Sequence, residues 1–401
     1  MSQQPSRKFN VLYDAPVLNR SGYGQISDLL VKPLLTYPLF NLGIKQMPWG
    51  NCQPRQTSTT DDELIKSRII KAKEIPAPDI YITHTLPHLV KPVGKIYNIC
   101  ISAGVETDEA YDYIMKAVNE WDLNIAPSAF TKQVYLNSDI KPTKPIEVLN
   151  WCADTDIFNI NAEPNANVDK ALAGIAEQEA FLFVGQFTSS NPFGDRKDMA
   201  NLILTFCKAF QGKSNRPALI LKTSGVNYST FDRNSTIERI KGIKDMLPNN
   251  DVSVYLLHGE LTDSEMNALY NHKKVIANIS FTHAEGYGIP LLQASLSGKP
   301  VIAPNYSGHL DFLDSRAILL DGKLETIPDH LASEFFIKGS KWFNVDYEKA
   351  TKVLQDFYYG DRTKLNASAV SLANDNAKKF NLQRFEKNIH KILDRYLLGK
   401  I

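Results

Sequence analysis

The chain has 401 residues, with 45 lysines and arginines against 44 aspartates and glutamates and a formal net charge of +1. At 43% apolar and 22% charged residues it has the make-up of a soluble globular protein, and its length makes two domains the natural expectation. The charge balance argues against a broad electrostatic footprint for nucleic acid or anionic membrane, while leaving room for a local basic patch.

In chain order the pattern is βα alternation in two blocks. This predicts an α/β fold: two doubly wound, Rossmann-like parallel sheets with helices on both faces. In the first block residues 9–13 form a short apolar strand, a polar loop leads to Ser21-Gly22-Tyr23-Gly24, and residues 26–35 have helical spacing. Strands follow at 79–83 and 96–102, a helix at 110–121, a strand at 123–126, and a helix at 130–136 with Ser128 as its N-cap. Residues 146–149 close the block, and the polar stretch 159–169 is the expected linker. The second block restarts with strand 181–184, then helix 199–210, strand 218–222, helix 237–246, strand 252–257 and helix 264–270, for which Asp263 is a candidate cap. Strand 275–279, helix 291–296 and strand 300–303 complete the series. Residues 50–60 and 223–235 read as variable loops, and no repeat of fixed period is present. Near the end, Phe385, Ile389, Ile392, Leu393 and Tyr396 lie on one helix face. The expected domains are 1–160, with helix 382–398 packing back on it, and 170–380.

No run approaches the length needed to cross a bilayer, and the polar residues 1–8 make no signal peptide. Cys52, Cys100, Cys152 and Cys207 are far apart, without metal-type spacing. Cys100 and Cys207 lie in apolar runs, so buried reduced thiols and a cytoplasmic location are expected.

The segment from Ser280 to Ala294 is the most informative part of the chain. A strand runs into the turn Glu285-Gly286-Tyr287-Gly288, and Pro290 sits where the first turn of a helix tolerates it. Strand, glycine turn and helix N-terminus together favour an anion. Glu285 cannot hold phosphate and is better suited to accept hydrogen bonds from hydroxyls. Phosphate plus hydroxyls suggests a nucleotide-sugar. Arg196-Lys197 follow a strand and precede a helix, the place where open α/β sheets bind ligands. There they can grip a diphosphate; taken alone, a solvated basic pair is the other reading.

Gly22-Tyr23-Gly24 allows close approach of a phosphate or sugar, and a plain tight turn is an equal reading. His84 ends a strand, either facing a ligand or as a hydrogen-bonded structural histidine. Glu106 also follows a strand, where it can orient an acceptor hydroxyl or cap the next helix. Residues 305–309 follow the strand at 300–303 as a pocket lining or a connecting loop.

The second block resembles the donor-binding domain of retaining GT-B glycosyltransferases of family four. The pieces that carry this are Phe183-Val184-Gly185, Arg196-Lys197, Leu256-Leu257-His258-Gly259, the glycine turn with Glu285, and Gly298-Lys299-Pro300-Val301-Ile302-Ala303. In the first block Pro78-Asp79-Ile80, Ala126-Pro127-Ser128 and Ile146-Glu147-Val148-Leu149 are similar to the same family. The family's second acid, eight positions after the first, is here Gln293. A narrower resemblance, through Leu12 to Pro16, Ser21 to Gly24 and Ala103 to Thr107, is to glycosyltransferases of tailed bacteriophages, some of which modify hydroxymethylated pyrimidines in DNA.

The resemblance implies a GT-B fold with two Rossmann-like domains facing a central cleft, the first for the acceptor and the second for the donor. It implies no metal and no cofactor beyond the nucleotide-sugar, with a UDP-sugar favoured. Arg196 and Lys197 would stabilise the leaving diphosphate, and Glu285 would hold hydroxyls of the donor sugar. Gly22, Tyr23 and Gly24, the backbone of His258 and Gly259, and the turn Gly286, Tyr287, Gly288, Ile289 and Leu291 would also contact the donor. Gln293 would meet the ribose through a neutral bond, weaker than a charged one. His84 and Glu106 would serve the acceptor: a glycan, a small molecule or modified DNA. Lys132, Lys141 and Lys144 are the candidate phosphate contacts for a DNA acceptor, with ordinary surface lysines as the favoured alternative. A catalytically inactive nucleotide-sugar-binding module and a GT-B-like epimerase are the alternatives.

Overall fold

The computed structural model describes residues 8–19, 21–50, 60–75, 77–187, 189, 191–225, 227–332 and 336–398. The N-terminal residues 1–7, Cys52 and the loop at 51–59 lie outside the described residues. The chain divides into two compact units, one of Met1–Cys152 with Leu382–Ile401 and one of Ala153–Asn381.

The first unit runs β1 (Phe9–Ala15), α1 (Gly22–Thr36), β2 (Phe40–Gln46), α2 (Thr60–Ala72), β3 (Ile80–His84), β4 (Tyr97–Ile101), α3 (Asp112–Val118), β5 (Leu123–Ala126), α4 (Ala129–Asn137) and β6 (Ile146–Val148). Its six strands are parallel in the order β2-β1-β3-β4-β5-β6. Because β1 lies between β2 and β3, the chain reverses its winding direction there. β2 and α2 are additions to the sequence reading. Gly43 sits inside β2 because a Cβ there would come within 2.7 Å of the Ala72 backbone at the end of α2. Ser128 does cap α4, taking the Thr131 N–H at 3.1 Å. α3 is shorter than the expected 110–121 at both ends, and Tyr111 at its N-cap makes no side-chain capping bond.

The second unit holds α5 (Ala166–Leu172), β7 (Ala180–Val184), α6 (Met199–Phe210), β8 (Ala218–Lys222), α7 (Thr230–Lys244), β9 (Val254–Leu257), α8 (Asp263–Asn271), β10 (Val275–Ile279), α9 (Ile289–Ser295) and β11 (Val301–Pro304). Then come β12 (Ile318–Leu320), the antiparallel pair β13 (Gly322–Thr326) and β14 (Lys341–Val345), α10 (Tyr347–Tyr359) and α11 (Thr363–Lys379). The parallel sheet has the order β12-β11-β10-β7-β8-β9, with its reversal between β7 and β10. Its core is aromatic: Phe181 of β7 meets Phe206 of α6 and Phe357 of α10 edge-on, with ring centroids 5.4 and 5.5 Å apart.

Two expectations need correcting here. α7 begins at Thr230, inside the expected loop 223–235, because Ser229 caps it by accepting the Asp232 N–H at 3.1 Å. The cap of α8 is Thr262 rather than Asp263, in a capping box with Glu265. The stretch 159–169 is anchored on this unit: Asn271 Nδ2 donates to the Asn159 carbonyl at 3.0 Å, and Asn165 caps α5.

The last helix, α12 (Leu382–Leu397), belongs to the first unit and buries Phe385, Ile389, Ile392, Leu393 and Leu397. Its His390 Nε2 donates to the Pro33 carbonyl of α1 at 2.7 Å. Among the described residues no helix is long and apolar enough to cross a membrane. Cys100 and Cys207 are free and buried, and Cys152 is buried.

Candidate functional site

In the second unit, strands β7 and β10 are neighbours, and the loops leaving their carboxyl ends meet where the sheet reverses. That crevice is where open α/β sheets take ligands. Lys197 comes from the loop after β7 and Glu285 from the loop after β10, and their side chains form an ion pair with each about one-tenth exposed. Burial alone would push the Glu285 carboxyl up. The Lys197 and Arg196 charges and the Lys197 hydrogen bond together outweigh it and hold the group below the usual carboxylate range.

Both loops are fixed by their own bonds. The Arg196 carbonyl accepts the His283 N–H at 3.1 Å. Asp195, buried, accepts the Lys197 N–H at 3.2 Å and shapes the turn that carries the two cations. On the other side, the Glu285 N–H donates to Ser307 Oγ at 2.9 Å and its carbonyl accepts the Gly308 N–H at 2.9 Å. A Cβ on Gly308 would lie 2.2 Å from the Gly286 carbonyl oxygen, so only glycine fits. The segment 305–309 thus clamps the acid-bearing turn.

Gly288 has φ +95° and is the N-cap of α9, with Pro290 in the first turn. The Leu291 N–H donates to the Gly288 carbonyl at 2.9 Å, and Pro290 has no N–H. Within that turn a ligand can therefore use only the amides of Gly288 and Ile289, which narrows the part expected of Leu291. Tyr287 is 1% exposed with its ring against Phe312 at 5.1 Å, and Ile289 and Leu291 are buried, so none of the three offers its side chain to a ligand. Gln293 is 7% exposed, one turn beyond Ile289 on the same helix face.

His258 follows β9 and faces Asp232 Oδ2 at 2.9 Å; the same oxygen accepts the Gly225 N–H at 3.0 Å. The His258 ring is thereby committed. Gly259, with φ +124°, gives its carbonyl to Lys222 Nζ at 2.5 Å. Burial lowers the Lys222 ammonium to about 8, and the Tyr228 ring lies 5.2 Å from it. Lys222 had no place in the sequence reading. Its signal was a lysine closing an otherwise apolar strand.

In the first unit, α1 starts at Gly22 with Ser21 as N-cap, so the two glycines lie inside the first helical turn rather than in a turn before it. A Cβ on Gly24 would stand 2.2 Å from the Asn19 carbonyl oxygen, whereas Gly22 faces open space. Tyr23 stacks on Trp49 at 4.0 Å, its hydroxyl accepts the Ala103 N–H at 3.2 Å, and its ring lies 4.9 Å from that of His84. Ser27 Oγ donates to the Tyr23 carbonyl at 2.8 Å and lies 2.8 Å from His84 Nδ1. A hydroxyl has one proton, so Nδ1 must carry the other and Nε2 is left a bare acceptor. His84 Nε2 is buried with no hydrogen-bond partner, and burial depresses the imidazole to about 3. Glu106 is half-buried in the loop after β4, and α3 begins too far on for it to be a cap. The structure brings Tyr23 and His84 together with the start of that loop. Trp49 and Ser27, which complete the cluster, were not singled out in the sequence.

No protein-family model matches this sequence, and no curated protein matches it. Solved structures do. HepE of Anabaena in complex with UDP-glucose superposes with a TM-score of 0.65 at 12% identity, over 96% of this chain and all of that one. Sucrose-phosphate synthase of Thermosynechococcus elongatus gives 0.64 at 12% identity, over 98% of this chain and 100% of that one. α,α-Trehalose 6-phosphate synthase of Burkholderia multivorans gives 0.62 at 10% identity, over 98% of each. At such identities the likeness is one of fold, and the chain has the two-domain, Rossmann-like GT-B fold.

Proposed function

We propose that this chain is a retaining, metal-independent glycosyltransferase that moves a sugar from a nucleotide-sugar, with UDP favoured, to a hydroxyl acceptor. The observation that carries this is the Lys197–Glu285 pair at the reversal between β7 and β10, with Arg196 beside it. It sets two cations for a diphosphate next to an acid for hydroxyls. Complexes of HepE with UDP-glucose support the choice of donor. In this reading Arg196 and Lys197 stabilise the charge that grows on the departing diphosphate, an electrostatic effect available without reorganisation. Glu285 holds the sugar and Gln293 the ribose. The backbone at His258 and Gly259 meets the base. The bond from the anomeric carbon to phosphate breaks as the bond to the acceptor oxygen forms on the same face, and the acceptor proton passes to the phosphate. The acceptor is a glycan, a small molecule or a hydroxymethylated pyrimidine in phage DNA, served by His84 and Glu106 in the first unit.

The test is a thermal-shift series with UDP-, GDP-, ADP- and TDP-sugars, followed by sugar transfer. A donor at a hundredfold over its Kd stabilises the native state by about 2.7 kcal/mol. UDP-glucose should raise Tm in the wild type and not in Lys197→Ala. A flat response to every donor would sink the proposal. Gln293, in place of an acid, supports a second reading as a nucleotide-sugar-binding module without turnover. Turnover by the wild type excludes it. For a DNA acceptor, transfer must weaken steeply with added salt. Lys141 is already committed to the C-terminal carbonyls of α4 at 2.9–3.2 Å, and Lys144 lies 3.9 Å from Asp122. The expected outcome is therefore a shallow salt dependence, favouring a glycan or small molecule.

A further inference from the structure

Directly beneath the cation-bearing turn lies a polar cluster that the proposed chemistry does not use. Asp198 follows Lys197, is fully buried, and adopts φ +52° and ψ +40°. A side chain in that left-handed region is strained, and glycine would be the residue free of cost. Asp198 is also the N-cap of α6, yet its carboxylate does not cap that helix. It turns inward, where Oδ2 accepts the Tyr347 hydroxyl at 2.7 Å and Oδ1 accepts Asn201 Nδ2 at 2.7 Å. Asn201 Nδ2 also donates to the Tyr347 oxygen at 3.1 Å, closing a triangle between α6 and the first residue of α10.

His283 belongs to the other loop. Its ring stacks on Trp342 of β14 with centroids 3.8 Å apart, and Nδ1 donates to the Phe343 carbonyl at 2.9 Å. Its carbonyl accepts the Phe343 N–H at 3.3 Å, and its own N–H reaches the Arg196 carbonyl. A carbonyl can only accept, so the ring proton is on Nδ1. Nε2 is then a bare acceptor, buried without a partner and 3.9 Å from Asp198 Oδ1.

We infer that Asp198 and His283 are positioning residues that set Lys197 and Glu285 against each other from below, anchoring one loop to α10 and the other to β14. An aspartate stands at a place suited to glycine, its carboxyl fastens the turn to Tyr347, and the two loops then move as one body. The inference rests on the proposed function only for the chemical meaning of Lys197 and Glu285.

The variants are Asp198→Gly, which removes strain and carboxyl together, Tyr347→Phe, which removes one hydroxyl, and Asp198→Asn. The amide of the last keeps an acceptor for Tyr347 and gains a donor toward His283 Nε2, with Asn201 turning its own carbonyl oxygen toward the new NH2. Hydrogen–deuterium exchange of the full chain reads the loops, and calorimetric titration with inorganic pyrophosphate reads the cations. Exchange at 195–198 and 282–285 should rise at least tenfold in Asp198→Gly and Tyr347→Phe, with the rest of the second unit unchanged. Asp198→Asn should restore protection. Pyrophosphate binding should weaken about tenfold in the first two variants and recover in the third. Unchanged exchange in both loops, or a rise spread over the whole unit, would overturn the inference. A wild type that binds no pyrophosphate but shows the local exchange response would overturn the proposed function and leave the positioning claim standing.

Discussion

Lys197 and Glu285 show how a site residue can be a liability to the fold. A buried pair is costly to desolvate, and breaking it from one side leaves a charge without its partner, at on the order of 3 kcal/mol. Lys197→Met should therefore destabilise the native state more than the double substitution Lys197→Met with Glu285→Gln, as measured by urea unfolding. Equal losses would mean the two side chains do not interact. His84 makes a prediction about acid. Its imidazole is neutral in the native state down to about 3, against an ordinary value near 6.5 in the unfolded chain. Its pKa is depressed, so the unfolded state takes up protons first, and stability present above pH 6.5 is lost as pH falls toward 3. Between pH 7 and 4.5 the loss is roughly 2.5 kcal/mol for this group. Burial lowers His283 to about 4, which adds to the same trend. Asp198 is raised by burial to about 8 and acts in the opposite sense, losing stability as pH rises from the ordinary carboxylate range to 8. His84→Asn should flatten the acid limb of the stability curve, and an unchanged limb would refute the buried neutral imidazole. The spacing of ionisable groups in the sequence shows none of this, because each shift is set by burial.

At the level of elements, the opening of α1 separates two glycines that look alike in the sequence. Gly22 faces open space, and alanine there gains the helix propensity glycine lacks, about 0.5–1 kcal/mol. Gly24 sits where a Cβ would meet the Asn19 backbone, so alanine forces the chain apart and should cost about 2 kcal/mol or more. Thermal unfolding of the two single variants should show opposite signs. If Gly22 also lets the donor approach, Gly22→Ala will be more stable and less active at once. The capping box of α8 gives a third measurement, with Thr262→Ala expected to cost about 1 kcal/mol. Helices with a long apolar stripe and strands bounded by turns were readable from their period, as α6 and β8 show in matching their expected limits residue for residue. α2 and the front half of α7 were not, because their faces are largely polar and the docking surface lies elsewhere in the chain.

Over the whole molecule, the C-terminal helix closes the first unit from the far end of the chain. Ending the chain before Leu382 removes the apolar face of α12 and exposes the side chains of α1 and its neighbours that this helix covers. At about 1.5–3 kcal/mol for each fully buried large aliphatic or aromatic residue, this exceeds what a domain of this size can spare. The truncated chain should lose the unfolding transition of the first unit in calorimetry while keeping that of the second, and two intact transitions would refute the role given to α12. By itself the sequence determined the alternation of strands and helices, the doubling of the pattern, and the loops that bear Arg196, Lys197 and Glu285. Those features are local: period, turn residues and the order of motifs are written along the chain. Only the tertiary structure decided that Lys197 pairs with Glu285, that Ser307 and Gly308 clamp the acid's backbone, that Asp198 meets Tyr347, and that His84 rests on Ser27. Each of these joins residues from separate elements of one unit, close to the reversal of its sheet. Which strands lie side by side there depends on the packing of the helices between them, and no stretch of sequence states it.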